Sequence, residues 1–281
     1  GWLNAASRAA SHHLVDTVEL VYPALEDTAE DRANASLAMP AMRRDALLDN
    51  VRRAAAYDLD RRFGLALASR TGRSFSGDAW SRFEARYDFL SHSVVLGPVL
   101  IQALLADAGG PAARYSTLGT TLAHEMLHMF GAPTDRKFTP RQPVGWIDAA
   151  DQPGFNAMVG RLEQDYATWV AARYHLAVKP RFMGEDLSDL GSVPVALSAL
   201  RHAGGDGTGS EDAFYRAFAG SMRTRQSDED DRSFLTSSYG HALYSYRING
   251  PLSNLPSFSR HYGCVAGDAM VRSPEARVAL W

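Results

Sequence analysis

His124-Glu125-Met126-Leu127-His128 is the stretch whose reading decides the fold. Residues four apart share one face of a helix, so a helix here presents the imidazoles of His124 and His128 to a single metal ion. Glu125 stands one position round, at the edge of that face. From there a carboxylate reaches a water at the metal without being a ligand, which is where a general base belongs. Leu118, Leu122, Met126 and Met129 fall together on the other side and are expected to pack this helix against a core.

The chain around this motif has the bulk properties of a globular protein. With 281 residues and 46% hydrophobic content it can bury a sizeable core as one large domain or two smaller ones. A net charge of −3 argues against nucleic acid as the main partner, because phosphate binding needs a basic surface. No apolar run approaches the roughly 18 residues of a membrane-spanning helix. The chain starts at Gly1 without a signal peptide, which we read as a processed product, and Asn34-Ala35-Ser36 is a candidate glycosylation site. Both fit a secreted protein or the ectodomain of a membrane protein.

Periodicity predicts a helix-rich chain. Residues 40–68 and 155–174 read as helices, as does 184–203 despite Pro194. Val94 and Val95 favour a short strand over 93–96. Gly109, Gly110 and Pro111 break the chain before the motif helix, and Gly131 and Pro133 end it. Residues 134–153 read as a loop and 204–209 as a flexible turn. Residues 211–225 form an amphipathic helix with Phe214 and Phe218 on one face. The acidic run 228–231 reads as a solvated loop, and the chain from Pro251 as mostly irregular.

Catalytic zinc takes three protein ligands and keeps a position for water. The third candidate lies in Gly184-Glu185-Asp186-Leu187-Ser188-Asp189-Leu190-Gly191. Glu185 and Asp189 are four apart and share a helix face. Glu185 can then be a ligand, while Asp189 holds a ligand histidine by its free N–H.

An H-E-x-x-H followed 57 residues later by E-x-x-x-D resembles the glutamate-zincin arrangement, and its details resemble the neprilysin and endothelin-converting-enzyme family of zinc metallopeptidases. That family has G-E-N-x-A-D-x-G around its third ligand. It also carries a His and, six residues on, an Arg leading into V-N-G; here His241 precedes Arg247-Ile248-Asn249-Gly250. It commonly ends in Trp, as this chain does at Trp281. Residues 85–100 resemble its N-A-Y-Y strand and the apolar segment after it. The resemblance covers roughly residues 80–281.

The resemblance implies one zinc per chain, bound by His124, His128 and Glu185. It implies that Glu125 polarises the water and shuttles its proton, that Asp189 orients a ligand histidine, and that His241 stabilises the oxyanion. Arg247 would bond a substrate carbonyl and brace the S1′ pocket, and Glu84 and Ala85 would meet the substrate backbone. The implied fold is α+β and mainly α-helical: a thermolysin-like zincin catalytic domain over 80–281 with a small edge sheet, and an N-terminal helical segment over 1–79 packed on it. The implied function is that of a zinc endopeptidase or oligopeptidase acting on peptides. The alternative is a catalytically silent binding or structural subunit on the same fold.

Four departures stand out. Glu84 occupies the place of the family's Asn, and a carboxylate cannot donate the hydrogen bonds of an amide. Gly131 stands where the family has an acidic residue. The family's N-terminal lobe, which lids the catalytic chamber, has no room in 281 residues, so the resemblance implies either an open protease or one completed by a separate chain. The family's C-terminal disulfide would fall at Asp165 and Val278, so both its ends are absent. Cys264, the single cysteine, matches a family cysteine whose mate lies in the missing part, which leads us to expect a disulfide to a second polypeptide.

Overall fold

The computed structural model describes residues 2–21, 43, 45–46, 48–53, 56, 84–89, 91–106, 109–131, 146–178, 184–205, 207–236, 241–278 and 280. The expected helix over 40–68 falls largely outside these residues, with 48–53 helical. Asn34, Pro133, most of the 134–153 loop and Trp281 also lie outside them.

Among the described residues the chain is mostly helical. The elements that matter are α1 (Ala5–Thr17), β1 (Glu19–Val21), β2 (Ala85–Asp88), β3 (Ser93–Leu96), α2 (Pro98–Ala106), α3 (Pro111–Arg114), α4 (Thr120–Leu127), α5 (Gln152–Tyr174), α6 (Gly184–His202), α7 (Thr208–Ser221), α8 (Asp228–Thr236), α9 (Tyr244–Asn254) and α10 (Pro256–His261). The three strands form one sheet in the order β1-β3-β2, which leaves β2 at an edge. The mainly helical fold with its small edge sheet is the one expected.

The chain divides into two compact units: residues 1–19, 87–94 and 103–281 form the first, and residues 20–86 and 95–102 the second. In the second unit the Gly97 N–H donates to Glu84 O at 2.8 Å, which sets these residues opposite one another. Leu96 and Leu100 are buried there.

The first unit is built on α6. Its Val193, Ala196, Leu197 and Leu200 pack with Phe214, Tyr215 and Phe218 of α7 and with Leu252 of α9. A helix that is apolar on several sides must be buried on several sides, and α6 also meets α4, α5 and α9. Gly191 allows the closest of these approaches. A Cβ there would lie 2.7 Å from Leu127 Cδ1 and 2.5 Å from Leu280 Cδ1, well inside van der Waals contact.

The motif helix differs from the expected pattern in a way the structure explains. Between α3 and α4, Tyr115–Gly119 form a π-helical turn, and after α4 His128–Phe130 close as a 3-10 turn. The π turn interrupts the 3.6-residue period on which the expected apolar face rests. Ala123, Leu127, Met129 and Phe130 are buried, whereas Leu118, Leu122 and Met126 are half-buried. Met126 and Met129 also line an apolar groove of about 570 Å3. Ser116 anchors the π turn by donating its buried hydroxyl to Phe214 O at 2.7 Å.

Two other expectations are corrected. The acidic run is exposed but helical, because Ser227 and Asp230 form a reciprocal cap. Ser227 Oγ accepts the Asp230 N–H at 3.1 Å and Asp230 Oδ2 accepts the Ser227 N–H at 3.0 Å. Four acidic residues then sit in the first turn of α8, where the helix dipole favours them. The chain after Pro251 is also not mostly irregular at first. Pro251 lies inside α9, and Pro256 opens α10 at a position where its missing N–H costs nothing.

Candidate metal centre

Three helices and one turn of the first unit bring the candidate residues together. His124 and Glu125 sit on α4, with His128 at its end. Glu185 lies in the first turn of α6 and Asp189 one turn later. Arg247 lies on α9, and His241 just before it. Because Gly191 lets α4 and α6 approach closely, their polar residues meet.

Glu185 Oε2 is the focus of the cluster. It lies 3.0 Å from His124 Nε2, 3.7 Å from His128 Nε2 and 3.0 Å from His241 Nε2. Donor atoms of His124, His128 and Glu185 all lie within 4.8 Å of one another, the one such group of potential metal ligands among the described residues. Two ligands at about 2.0–2.1 Å from a tetrahedral zinc are about 3.3 Å apart, so this spacing suits the ion. The donor chemistry, two imidazoles and a carboxylate, suits it as well.

Asp189 and Arg247 stand behind the candidate ligands. Asp189 Oδ1 lies 2.9 Å from His124 Nδ1. Accepting the Nδ1 hydrogen leaves Nε2 of His124 pointed at the cluster. Arg247 donates to both oxygens of the same carboxylate, 2.7 Å from Nε to Oδ2 and 2.9 Å from Nη2 to Oδ1. Ser188 Oγ is 3.4 Å from His128 Nδ1.

The charges follow from burial and from these partners. Burial alone would lower His124, but its bonds to Asp189 and Glu185 prevail and raise the imidazole of the metal-free chain to about 10. Burial lowers His128 to about 4 with help from the charge on His124, against the pull of Glu185. Glu185 is held well below the carboxylate range: bonds to His124 and His241 outweigh its burial. Asp189, though buried, is lowered by His124 and Arg247. Burial holds the Glu125 carboxyl up, with Glu185 adding to the effect, while the charge on His124, the backbone N–H of Tyr87 and Arg247 oppose it. Glu125 lies beside the ligands, its Oε2 3.9 Å from His128 Nε2.

Seven of the nine expected residues thus lie together: His124, Glu125, His128, Glu185, Asp189, His241 and Arg247. Glu84 and Ala85 fall in the second unit. Glu84 pairs there with Arg86 at 2.8 Å, and Ala85 opens β2. Tyr87 and Ser188 were not anticipated. Tyr87 carries a weak sequence signal, two residues past Ala85 in the same strand; Ser188 carries none.

The sites of the missing disulfide are engaged otherwise. Asp165 accepts from the Tyr246 hydroxyl and from Arg272, which also donates to Ser253 Oγ at 2.8 Å. The Val278 N–H donates to Asn254 Oδ1 at 2.8 Å. Cys264 is a half-buried free thiol, and as the single cysteine it has no mate within the chain. Nothing in the structure supports the expected link to a second polypeptide.

The chain is similar to one protein family along most of its length. The sequence model of Peptidase family M13 matches residues 85–278. The human Kell blood group glycoprotein is 29% identical over 209 residues, 70% of this chain and 26% of that protein. A neutral endopeptidase of Lactococcus lactis subsp. cremoris is 26% identical over 239 residues, 80% of this chain and 36% of that protein. A zinc metalloprotease of Mycobacterium tuberculosis, solved with an inhibitor, superposes with a TM-score of 0.75 at 22% identity, covering 100% of this chain and 44% of that one. The chain therefore spans well under half the length of these relatives.

Proposed function

Because the chain belongs to peptidase family M13, we propose that it is a zinc-dependent endopeptidase or oligopeptidase with Glu125 as general base. The observation that carries the proposal is that the Glu125 carboxylate lies beside the His124, His128 and Glu185 donors, in one partly buried cluster.

His124, His128 and Glu185 would hold the ion. Bound zinc polarises a scissile carbonyl and lowers the pKa of water in the site. Glu125 takes the proton from the attacking water and passes it to the leaving amine; burial suits it to this, because a raised carboxyl is a better proton acceptor when ionised. Asp189 keeps His124 in the tautomer and orientation that face the cluster, and Arg247 fixes Asp189. His241, close enough to touch Glu185, offers an N–H to the oxyanion. Glu84 and Ala85, at the start of the edge strand β2, would meet extended peptide. An extracellular or ectodomain setting belongs to the same proposal. No described helix is long and apolar enough to cross a membrane.

The alternative, a silent scaffold on the same fold, would bind zinc equally well, so turnover separates the two. The test is hydrolysis of a mixed fluorogenic peptide set by purified protein, with phenanthroline added and then zinc restored. Cleavage that stops with chelation and returns with zinc supports the proposal. Absence of cleavage by zinc-loaded protein favours the scaffold.

A further inference from the structure

We propose that the apolar groove behind helix α4 binds one free long-chain fatty acid, with Arg8 and His12 meeting its carboxylate. The groove lies wholly within the first unit and shares no residue with the cluster around Glu185. Its volume of about 570 Å3 is that of a site for a small molecule. A stable protein partner needs a far wider face.

Two helices form its walls, and both are held in place. Ala123, Met126 and Leu127 of α4 line one side. By helix geometry they turn away from His124 and His128. The facing wall is α1. Ser7 and Leu14, seven residues apart, are its buried positions. Ser7 Oγ accepts the Asp148 N–H at 2.8 Å, and Asp151 Oδ2 accepts the Asn4 N–H at 2.8 Å. With that face anchored, Arg8, Ser11, His12 and Val15 line the groove, spaced as one helical stripe. Trp2 closes an end. Its indole N–H donates to Leu280 O at 3.0 Å, and its ring stands 6.4 Å from that of Phe155. The walls are therefore preformed, and a ligand is spared the cost of ordering them.

Two features define the ligand's chemistry. The first is apolar surface left open to water. Trp2, Val15 and Val195 at the rim are 37%, 45% and 41% exposed, and their gathering at one place marks a binding surface. The second is charge. Arg8 and His12 are exposed and one helical turn apart. No acidic residue lines the groove among the described residues, and among them no carboxylate pairs with the Arg8 guanidinium or the His12 ring. Ser11 Oγ donates its hydrogen to Ser7 O at 2.8 Å, which leaves Arg8 and His12 as the donors of this wall. A ligand that fits has a long apolar body and a single anionic end. A fatty acid has both.

The test is displacement of dansyl-undecanoic acid from the whole chain by unlabelled acids, each below its micelle-forming concentration and followed by fluorescence. Phenanthroline is present throughout, so that no carboxylate binds through zinc. We expect one acid per chain, with affinity rising roughly fourfold per methylene from octanoic to dodecanoic acid. Dodecanol should bind roughly fivefold more weakly than dodecanoic acid, the worth of an exposed ion pair. Arg8→Gln, at an exposed position, should erase that preference by weakening the acid alone. Val195→Trp fills the mouth from the exposed side of α6 and should weaken acid and alcohol alike by roughly tenfold or more. Affinity that ignores chain length, or an Arg8→Gln protein that keeps its preference for the acid, would overturn the proposal. So would undiminished binding by Val195→Trp. If no acid binds, and the protein instead sediments with phosphatidylserine vesicles or self-associates, the face belongs to a membrane or to a second copy and the proposal falls. None of these readouts depends on turnover, so the peptidase reading stands or fails separately.

Discussion

Arg247 grips Asp189 through two parallel N–H bonds of 2.7 and 2.9 Å, and that same carboxylate holds Nδ1 of His124. One residue on α9 thus reaches the metal-ligand face of α4 by way of α6. The resemblance assigned Arg247 to the substrate. The structure shows a second contact, with the carboxylate behind the candidate ligand His124.

This makes Arg247 a stability residue as well. Both side chains are nearly buried, at 13% and 6% exposure. Removing one partner of such a pair leaves the other charge uncompensated, which costs about 3–5 kcal/mol. Arg247→Ala should lose about that much in urea unfolding of the metal-free chain. An unchanged unfolding midpoint would show that the pair contributes nothing.

Asp189→Asn should act on the metal more than on the fold. An amide can hold His124 Nδ1 in place only weakly, and loss of such a supporting partner typically lowers metal affinity about 10–100-fold. Competition titration with a fluorescent zinc chelator would read this, and equal affinity would exclude the supporting role of Asp189.

Zinc binding should release a proton. In the metal-free chain His124 is raised to about 10 and so carries a proton at neutral pH, whereas His128, lowered to about 4, does not. Zinc must displace the His124 proton, so affinity should rise roughly tenfold per pH unit between about 6 and 9, with about one proton released per ion. The sign is fixed by the direction of the shift. The raised value of His124 stabilises the metal-free fold below the ordinary 6.5, and that contribution is lost as pH rises through about 10. Calorimetry in buffers of different ionisation enthalpy would count the proton, and pH-independent affinity would contradict the assignment.

Asp165 ties the C-terminal segment to α5 by ionic and hydroxyl bonds where the resemblance leads one to expect a disulfide. Its side chain is 23% exposed and that of Arg272 16%. Asp165→Ala strands both Arg272 and the Tyr246 hydroxyl and should cost on the order of 2–4 kcal/mol. Denaturant unfolding checks it, and a loss below about 0.5 kcal/mol would show that the tie is idle.

Much of the centre was legible before any coordinates. His124 and His128 on one helix, and Glu185 and Asp189 on another, obey a spacing that depends only on helix geometry. What could not be read was the local departure from that geometry. The π turn at Tyr115–Gly119 has no residue signature, yet it interrupts the period that runs through Leu118. Ser227 and Asp230 carry a cap signal that four acidic residues in a row obscure. Pro251 inside α9 obscures that helix in the same way.

The central claim is that the Glu125 carboxylate, beside the His124, His128 and Glu185 donors, activates water for peptide hydrolysis. The most direct test is to measure kcat and zinc content on the same preparations of the unmutated protein and Glu125→Gln. The account predicts one zinc per chain in both, with kcat lower by about 10²–10⁴ in the variant. Equal turnover by the two proteins at equal zinc content would contradict it.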